Sequence, residues 1–391
     1  MTKINNSTYK KDDNIINAID DFDYSTQKED YNKNFRNWRR KKDNPYAFNL
    51  EINKKECIFN ESRGFVGSSA TEVEKNSLSN NMFIFGIAML IFIAADTLLG
   101  RILAHVLSLF GVNVHMNFFG SLFYGGSSEI VAVIITCATM KYLIPVFYLH
   151  KKLKMPLKVE FMSTVNGSIE IIEAIGLSLI ASTITCLPSA YSSETKEVYT
   201  YFKNTDMDIS IWSQQEYIIY TIFDIIILSI LTELLFRGAI FNSLRQFGDA
   251  FAIITTSIIS GFIVGEFLEM PAAILISIVA SVGMLRSGTI FTAFFVRIIF
   301  KMYQLALIII GGSSSPNMFY IRNITMIVIF LIGVAIIIAV RFTGGRRFKN
   351  YFAKYNSEIS LNRRISFSLK SFPISVIILI CILEAIIALT I

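Results

Sequence analysis

Four charged side chains lie in stretches that are otherwise strongly apolar, and they form two pairs with the i and i+4 spacing of neighbours on a helix. Glu233 and Arg237 lie four residues apart in the run LTELLFRGAIFNSL, and Arg297 and Lys301 lie four residues apart in TIFTAFFVRIIFK. Residues at i and i+4 share one face of a helix, so Glu233 and Arg237 can form an ion pair. Such a pair either belongs to a catalytic site or serves as a scaffold at the end of a membrane helix.

The two cations are the harder pair to explain. Arg297 and Lys301 lie roughly 12 and 18 Å of helical rise into their apolar run, and their like charges repel. Each costs at least about 2.5–3.5 kcal/mol at the centre of a bilayer. Glu233, Glu266 and Glu269 are the acids that can neutralise them. The cations then form either a pocket for an anion or a partner, or an internal charge network.

The elements that position these residues are membrane helices. The chain has 391 residues, of which 53% are hydrophobic, and its mean hydropathy is +0.52. These values exclude an ordinary soluble protein, and the apolar runs reach the roughly 20 residues that one membrane helix needs. The first run begins only at Met82, so no cleavable signal peptide is expected. The four cysteines show no paired spacing that would predict disulfides or a thiolate metal site.

The fold class expected is all-α, a polytopic transmembrane helical bundle of about nine spans behind a polar N-terminal tail. The stretch EFLEMP leaves almost no loop between the fifth and sixth spans, which makes that hairpin the least certain. The predicted spans are 82–104, 128–149, 169–190, 216–236, 249–268, 271–286, 289–311, 322–341 and 371–391.

The basic segments fix the expected orientation. Stretches rich in Lys and Arg lie at 33–42, 151–158 and 341–364, and in the nine-span topology they share one side of the membrane. The loop 191–215 falls on the other side, and acids outnumber lysines there. The positive-inside rule therefore predicts a cell-membrane protein whose N-terminus is cytoplasmic.

Four regions are predicted along the chain. Residues 1–81 form a cytoplasmic tail that we expect to be disordered, because it is polar and lacks a sustained apolar period. Transmembrane regions at 82–215 and 312–391 flank a core at 216–311, and the last region contains a basic cytoplasmic loop. The basic cluster in the tail, with its two aromatic residues, could lie on anionic lipid or suit nucleic acid. We favour a solvated tether, and no nucleic-acid partner is expected.

The runs TELLFRGAIFNSL, SIISGFIVGEF and LRSGTIFTAFFVRIIFK together resemble the CPBP family of intramembrane proteases, which includes CAAX proteases and bacteriocin self-immunity proteins. The resemblance covers about residues 216–305. Family members carry E-E-x-x-x-R at the end of one span, F-x-x-x-H in the next and H-x-x-x-N or -D in a later span. The family's proposed chemistry is metal-assisted: a glutamate and histidines prepare a water molecule that attacks a peptide bond.

At the first and third motifs, the resemblance places different residues where this chemistry would occur. The first glutamate falls on Thr232, whereas the second glutamate and the arginine are kept as Glu233 and Arg237. Thr232 is a poor nucleophile, because its neighbour Glu233 points about 100° away around the helix. The histidine and the asparagine of the third motif fall on Arg297 and Lys301.

The second motif admits two alignments, and neither supplies a histidine. One places Val264 and Leu268 at the Phe and His positions, and the other places Phe262 and Glu266 there. All three histidines of the chain precede the matched region. A zinc site usually needs three protein ligands, and an arginine cannot lose its proton to become one.

The resemblance, with these departures, predicts a degenerate family member. It also implies that the spans carrying Glu233 and Glu266 approach that of Arg297, so we expect at least one of these acids to contact Arg297 directly. We expect a pseudoprotease without a cofactor that acts by binding or regulating another membrane or envelope protein, or in bacteriocin immunity, with the lipid bilayer as its environment. An active CAAX-type endopeptidase that uses zinc or another divalent metal is the main alternative. A small-solute transporter is a third, although no duplicated broken-helix pattern supports it.

Overall fold

The computed structural model describes residues 27–41, 44–48, 58–60, 64–66, 70–116, 123–162, 168–186, 212–263, 269–311, 317–344 and 359–390. Helices dominate these residues, and the four short strands form two antiparallel hairpins. The elements in chain order are α1 (Glu29–Arg39), β1 (Ile58–Asn60), β2 (Gly64–Val66), α2 (Ala70–Leu109), β3 (Val114–Met116), β4 (Phe123–Gly125), α3 (Ser127–Leu153), α4 (Leu157–Glu160), α5 (Ser168–Cys186), α6 (Gln214–Phe247), α7 (Asp249–Phe262), α8 (Met270–Ser287), α9 (Ile290–Gly311), α10 (Met318–Gly344), α11 (Leu361–Leu369) and α12 (Phe372–Thr390).

The bundle confirms the predicted fold class. Seven helices of the described residues are long and apolar enough to cross a membrane, and an eighth span results if α11 and α12, bent by 73°, count as one. The difference from the predicted nine lies at 249–268. There α7 has 14 residues, a rise of about 21 Å, which is shorter than the roughly 30 Å hydrocarbon core. Helix α7 packs against α8 as a hairpin instead.

Close contacts between backbones hold neighbouring spans together. Helices α5 and α10 meet at Gly176 and Gly333, where a Cβ atom on Gly333 would lie 2.9 Å from the carbonyl oxygen of Gly176. A Cβ atom on Gly176 would in turn lie 2.9 Å from Ile336 Cγ2. Membrane helices associate through close packing of this kind, because lipid tails are as apolar as the side chains and supply no hydrophobic driving force for association.

Helix α6 is one continuous rod of 34 residues, but its hydrogen bonding is not uniform. It begins with a capping box in which Ser213 accepts from the Glu216 backbone and the Glu216 side chain accepts from the Ser213 backbone. Two π-helical segments, Phe223–Leu228 and Leu234–Phe241, interrupt the α-helical pattern. Such π turns occur often at functional sites.

The predicted disorder of the tail is wrong for its described part. Residues Glu29–Arg39 form α1, and Tyr31, Phe35 and Trp38 are buried. The Trp38 indole nitrogen donates a hydrogen bond to the carbonyl oxygen of Leu153 at 2.8 Å, which anchors α1 to the end of α3. These three aromatics follow helical i, i+4, i+7 spacing, and the surrounding charges mask that period.

The segment after α1 is also bound to the bundle. The Phe48 backbone nitrogen donates to the Gln246 side chain at 2.7 Å, and that side chain donates to the Tyr46 carbonyl at 2.9 Å. Helix α2 begins at Ala70, upstream of the predicted boundary between residues 81 and 82. The boundary between the tail and the first transmembrane region therefore falls inside a helix.

Candidate functional site

Glu233 lies at the centre of the site and is fully buried between two guanidinium groups. Its Oε2 atom is 3.0 Å from Arg237 Nη1, and its Oε1 atom accepts a hydrogen bond from Arg297 Nε. Glu233 and Arg237 have no exposed side-chain surface, and Arg297 has 10%. The predicted contact between Arg297 and one of the motif acids is confirmed for Glu233. It joins α6 to α9.

Arg237 extends this network to a third helix. Its Nη2 atom donates to the carbonyl oxygen and to the hydroxyl of Ser277 in α8, both at 2.6 Å. A charged guanidinium without exposure to water needs such partners, because an unpaired buried charge is strongly destabilising. The helices α6, α8 and α9 are thus tied together by one carboxylate and two guanidiniums.

Lys301 is neutralised by an acid that the sequence argument did not select. Its Nζ atom lies 3.1 Å from each carboxylate oxygen of Asp224, which stands in the first π-helical segment of α6. Asp224 is the single acid inside the apolar run YIIYTIFDIIILSI. A lone acid within a membrane span signals a buried partner, so this position could have been chosen on the same grounds as Glu233.

The remaining motif positions have different outcomes. The Thr232 hydroxyl donates to the Leu228 carbonyl at 2.7 Å, one turn earlier in α6, which is a common back-bond of helical threonine. Glu266 and Leu268 lie outside the described residues. Glu269, which precedes α8, lines a cavity beside Arg297.

This cavity has a volume of about 150 Å³ and lies beside the ion pairs. That space is large enough for water. Two buried polar atoms of lining residues, Arg297 Nη2 and Ser229 Oγ, have no hydrogen-bond partner among the described residues. Buried donors are nearly always bonded, so these two atoms are exceptional in the wall of the cavity. The lining residues are Tyr142, Thr185, Cys186, Leu228, Ser229, Thr232, Glu269, Ala272, Ala273, Arg297, Phe300, Lys301 and Gln304.

The donor set that the described residues supply at the site does not fit a divalent metal. Both oxygens of Glu233 lie next to arginines, and cations occupy the two positions of the third motif. Within the described residues, no three side chains of the His, Cys, Asp and Glu types are grouped so that they could hold a metal ion. His150 is paired with Glu160 at 2.9 Å, and the Glu160 carbonyl accepts a hydrogen bond from Asn242 of α6.

Residues 214–303 match the family model of the type II CAAX prenyl endopeptidase Rce1-like proteins. This segment contains α6, α7, α8 and most of α9, and with them Glu233, Arg237, Arg297, Lys301 and Asp224. No curated protein and no solved structure matches the chain.

The match agrees with the resemblance deduced from the three sequence runs, which placed it at about 216–305. The helices that carry it are the ones that the buried charges join, and they lie in a multi-span membrane bundle. Residues 214–303 are therefore similar to the type II CAAX prenyl endopeptidase Rce1-like proteins, and they lie in a multi-span membrane bundle.

Proposed function

We propose that the protein is a catalytically inactive CPBP-like membrane protein that works by binding another molecule in the membrane. One observation carries this proposal: Glu233, the only glutamate kept from the first motif, is held between Arg237 and Arg297. A general base must have a lone pair within reach of the proton that it removes. Two arginines, which stay protonated, neutralise this carboxylate: Oε1 accepts a hydrogen bond from Arg297, and Oε2 lies 3.0 Å from Arg237 Nη1.

The cavity beside Arg297 is the binding site in this proposal. Arg297 Nη2 and Ser229 Oγ supply two buried donors, and the apolar lining from Leu228, Ala273 and Phe300 favours an uncharged neighbouring group. A carbonyl or carboxylate of a membrane-embedded peptide would satisfy these donors. The partner is then another membrane or envelope protein, or a bacteriocin-type peptide against which the protein confers immunity.

The first test measures metal and proteolysis. Purified full-length protein should contain no stoichiometric zinc, and a chelator should change neither its melting temperature nor its phenotype. Incubation with a prenylated CAAX peptide should give no cleavage above that of the Glu233→Gln variant. About one zinc per chain, lost together with cleavage in Glu233→Gln, would instead establish the endopeptidase that the family match favours as the second candidate.

A second arm of the same test addresses binding. A photo-crosslinking amino acid at Gln304, which lines the cavity, should give a discrete adduct in native membranes. The matched control is the same probe at Phe295, which is on the same helix and 47% exposed. If both positions give the same adducts, the cavity holds no partner and the binding role is wrong.

The proposed orientation places the N-terminus in the cytoplasm of a cell-membrane protein. In a variant whose four native cysteines are replaced, a cysteine at Lys158 should resist an impermeant outside reagent, because the basic segments at 33–42 and 151–158 share the inner side. A cysteine within 195–210 should react, because the single spanning helix α5 separates it from Lys158. Labelling at Lys158, or protection within 195–210, would overturn this orientation.

A further inference from the structure

A basic groove lies at the end of α3, distant in sequence from every family motif. Helix α3 ends at Leu153, and Lys154 follows in a left-handed backbone conformation with a φ of 49°. The hydrogen bond from Trp38 to the Leu153 carbonyl holds the N-terminal segment against this helix end. The groove between them has a volume of about 830 Å³.

Lysines dominate its lining. Lys41, Lys151, Lys152 and Lys154 surround the groove together with Tyr46 and Tyr148, and we call this set the lysine groove. All four lysine side chains are exposed. No carboxylate of the described residues forms an ion pair with any of them, whereas the lysines at 141, 158 and 301 each have one.

The positions of these lysines need an explanation beyond topology. The negative end of the α3 dipole stabilises cations in the last turn, but only by about 0.3–1 kcal/mol each. Four ammonium groups around one concave surface still repel one another, and no acid in the described part of the chain offsets them. A ligand with several negatively charged oxygens would offset this repulsion. The two tyrosine hydroxyls can donate hydrogen bonds to the same oxygens.

The groove is also at membrane-interface depth. Helix α3 is one of the spanning helices, so its last turn lies where the hydrocarbon core gives way to headgroups. Phe147 and Leu157, 66% and 57% exposed, lie close in sequence to the lining residues Tyr148 and Lys154 and offer apolar surface for acyl chains. Tyrosine at this depth is typical of membrane interfaces, and lysine there attracts acidic lipid.

We propose that the lysine groove binds the phosphate headgroup of an anionic phospholipid. The four ammonium groups neutralise the phosphate, Tyr46 and Tyr148 donate hydrogen bonds, and the acyl chains lie along Phe147 and Leu157. This site is separate from the cavity beside Arg297, so it stands or falls independently of the proposed function.

The test is native mass spectrometry of the full-length protein in detergent, titrated with phosphatidylglycerol and with phosphatidylcholine. The wild type should retain phosphatidylglycerol preferentially. Lys151→Gln/Lys154→Gln should weaken that binding about thirty-fold, since each lysine near an anionic surface contributes about 1 kcal/mol. Lys151→Arg/Lys154→Arg should restore it.

The matched control removes two exposed lysines elsewhere in the N-terminal segment. Lys28→Gln/Lys33→Gln has the same net charge as the test variant, but neither residue lines the groove. If control and test variants lose equal affinity, the attraction is diffuse and the groove is not the site. If the wild type instead binds inorganic pyrophosphate and retains phosphatidylglycerol no better than phosphatidylcholine, the ligand is a soluble phosphate and the lipid assignment is wrong.

Discussion

Glu233→Gln should lower the stability of the protein by about 3–5 kcal/mol, the usual cost of removing one member of a buried ion pair. One carboxylate serves two guanidiniums, so the substitution leaves Arg237 and Arg297 with excess buried charge. Arg297→Met should cost less, because Glu233 keeps Arg237. The measurement is the denaturation midpoint in detergent micelles, followed for each purified variant.

The double variant decides whether the contact is direct. Glu233→Gln/Arg297→Met removes one charge of each sign, so it should be more stable than Glu233→Gln alone, with a coupling of about 0.5–3 kcal/mol. Asp96→Asn is the matched control, because its carboxylate is 54% exposed and pairs with Lys141 at 2.8 Å. An exposed pair contributes only about 0–1 kcal/mol. Equal losses in Glu233→Gln and Asp96→Asn would contradict the buried network.

Trp38→Ala should release the N-terminal segment from the bundle. Truncating a fully buried tryptophan typically costs about 3–5 kcal/mol, and this side chain has 0% exposure. Trp38→Phe keeps much of the packing and should cost less, since it loses mainly the hydrogen bond to Leu153. The readout is limited proteolysis between residues 27 and 48, with the denaturation midpoint measured in parallel.

Asn37→Ala is the control for the tryptophan variants, because Asn37 is exposed in the same helix. It should leave the cleavage rate close to that of the wild type. If Trp38→Ala is cleaved no faster than Asn37→Ala, the segment is a solvated tether, as its composition first indicated.

The ion pair at the core of the site was predictable, because a charge buried in an apolar span needs an oppositely charged partner and the matched helices contain few of them. Arg297 needed an acid, and Glu233 on the matched helix was one of the named candidates. Asp224 lies outside the three motif runs, so nothing in those runs indicated it as the partner of Lys301. The tie between Arg237 and Ser277 was beyond prediction, since it depends on how α6 and α8 are placed in space rather than on any pattern along the chain.

The fold was predictable to a similar depth. Hydropathy identified the spanning helices, but it could not distinguish α7 from a full span, because an apolar run of adequate length ended in a break before α8. The tail was misjudged for the opposite reason. Its many charges concealed the helical spacing of Tyr31, Phe35 and Trp38. These aromatic residues favour an ordered helix only because the end of α3 provides a surface against which they are buried.

The π-helical segments of α6 make the length of this helix as important as its composition. Each π turn accommodates one residue more than an α turn, so deleting a residue from Leu234–Phe241 would restore regular hydrogen bonding. The parts of α6 on either side would keep nearly their present orientation, because the π turn is where the extra residue is absorbed. A deletion from Ser229–Glu233, the α-helical part between the two π segments, would instead rotate everything upstream by about 100°. Asp224 would then face away from Lys301 although no charged residue had changed. In an alignment of relatives, a one-residue gap in a π segment is therefore compatible with the same site, whereas one at Ser229–Glu233 marks a displaced Asp224.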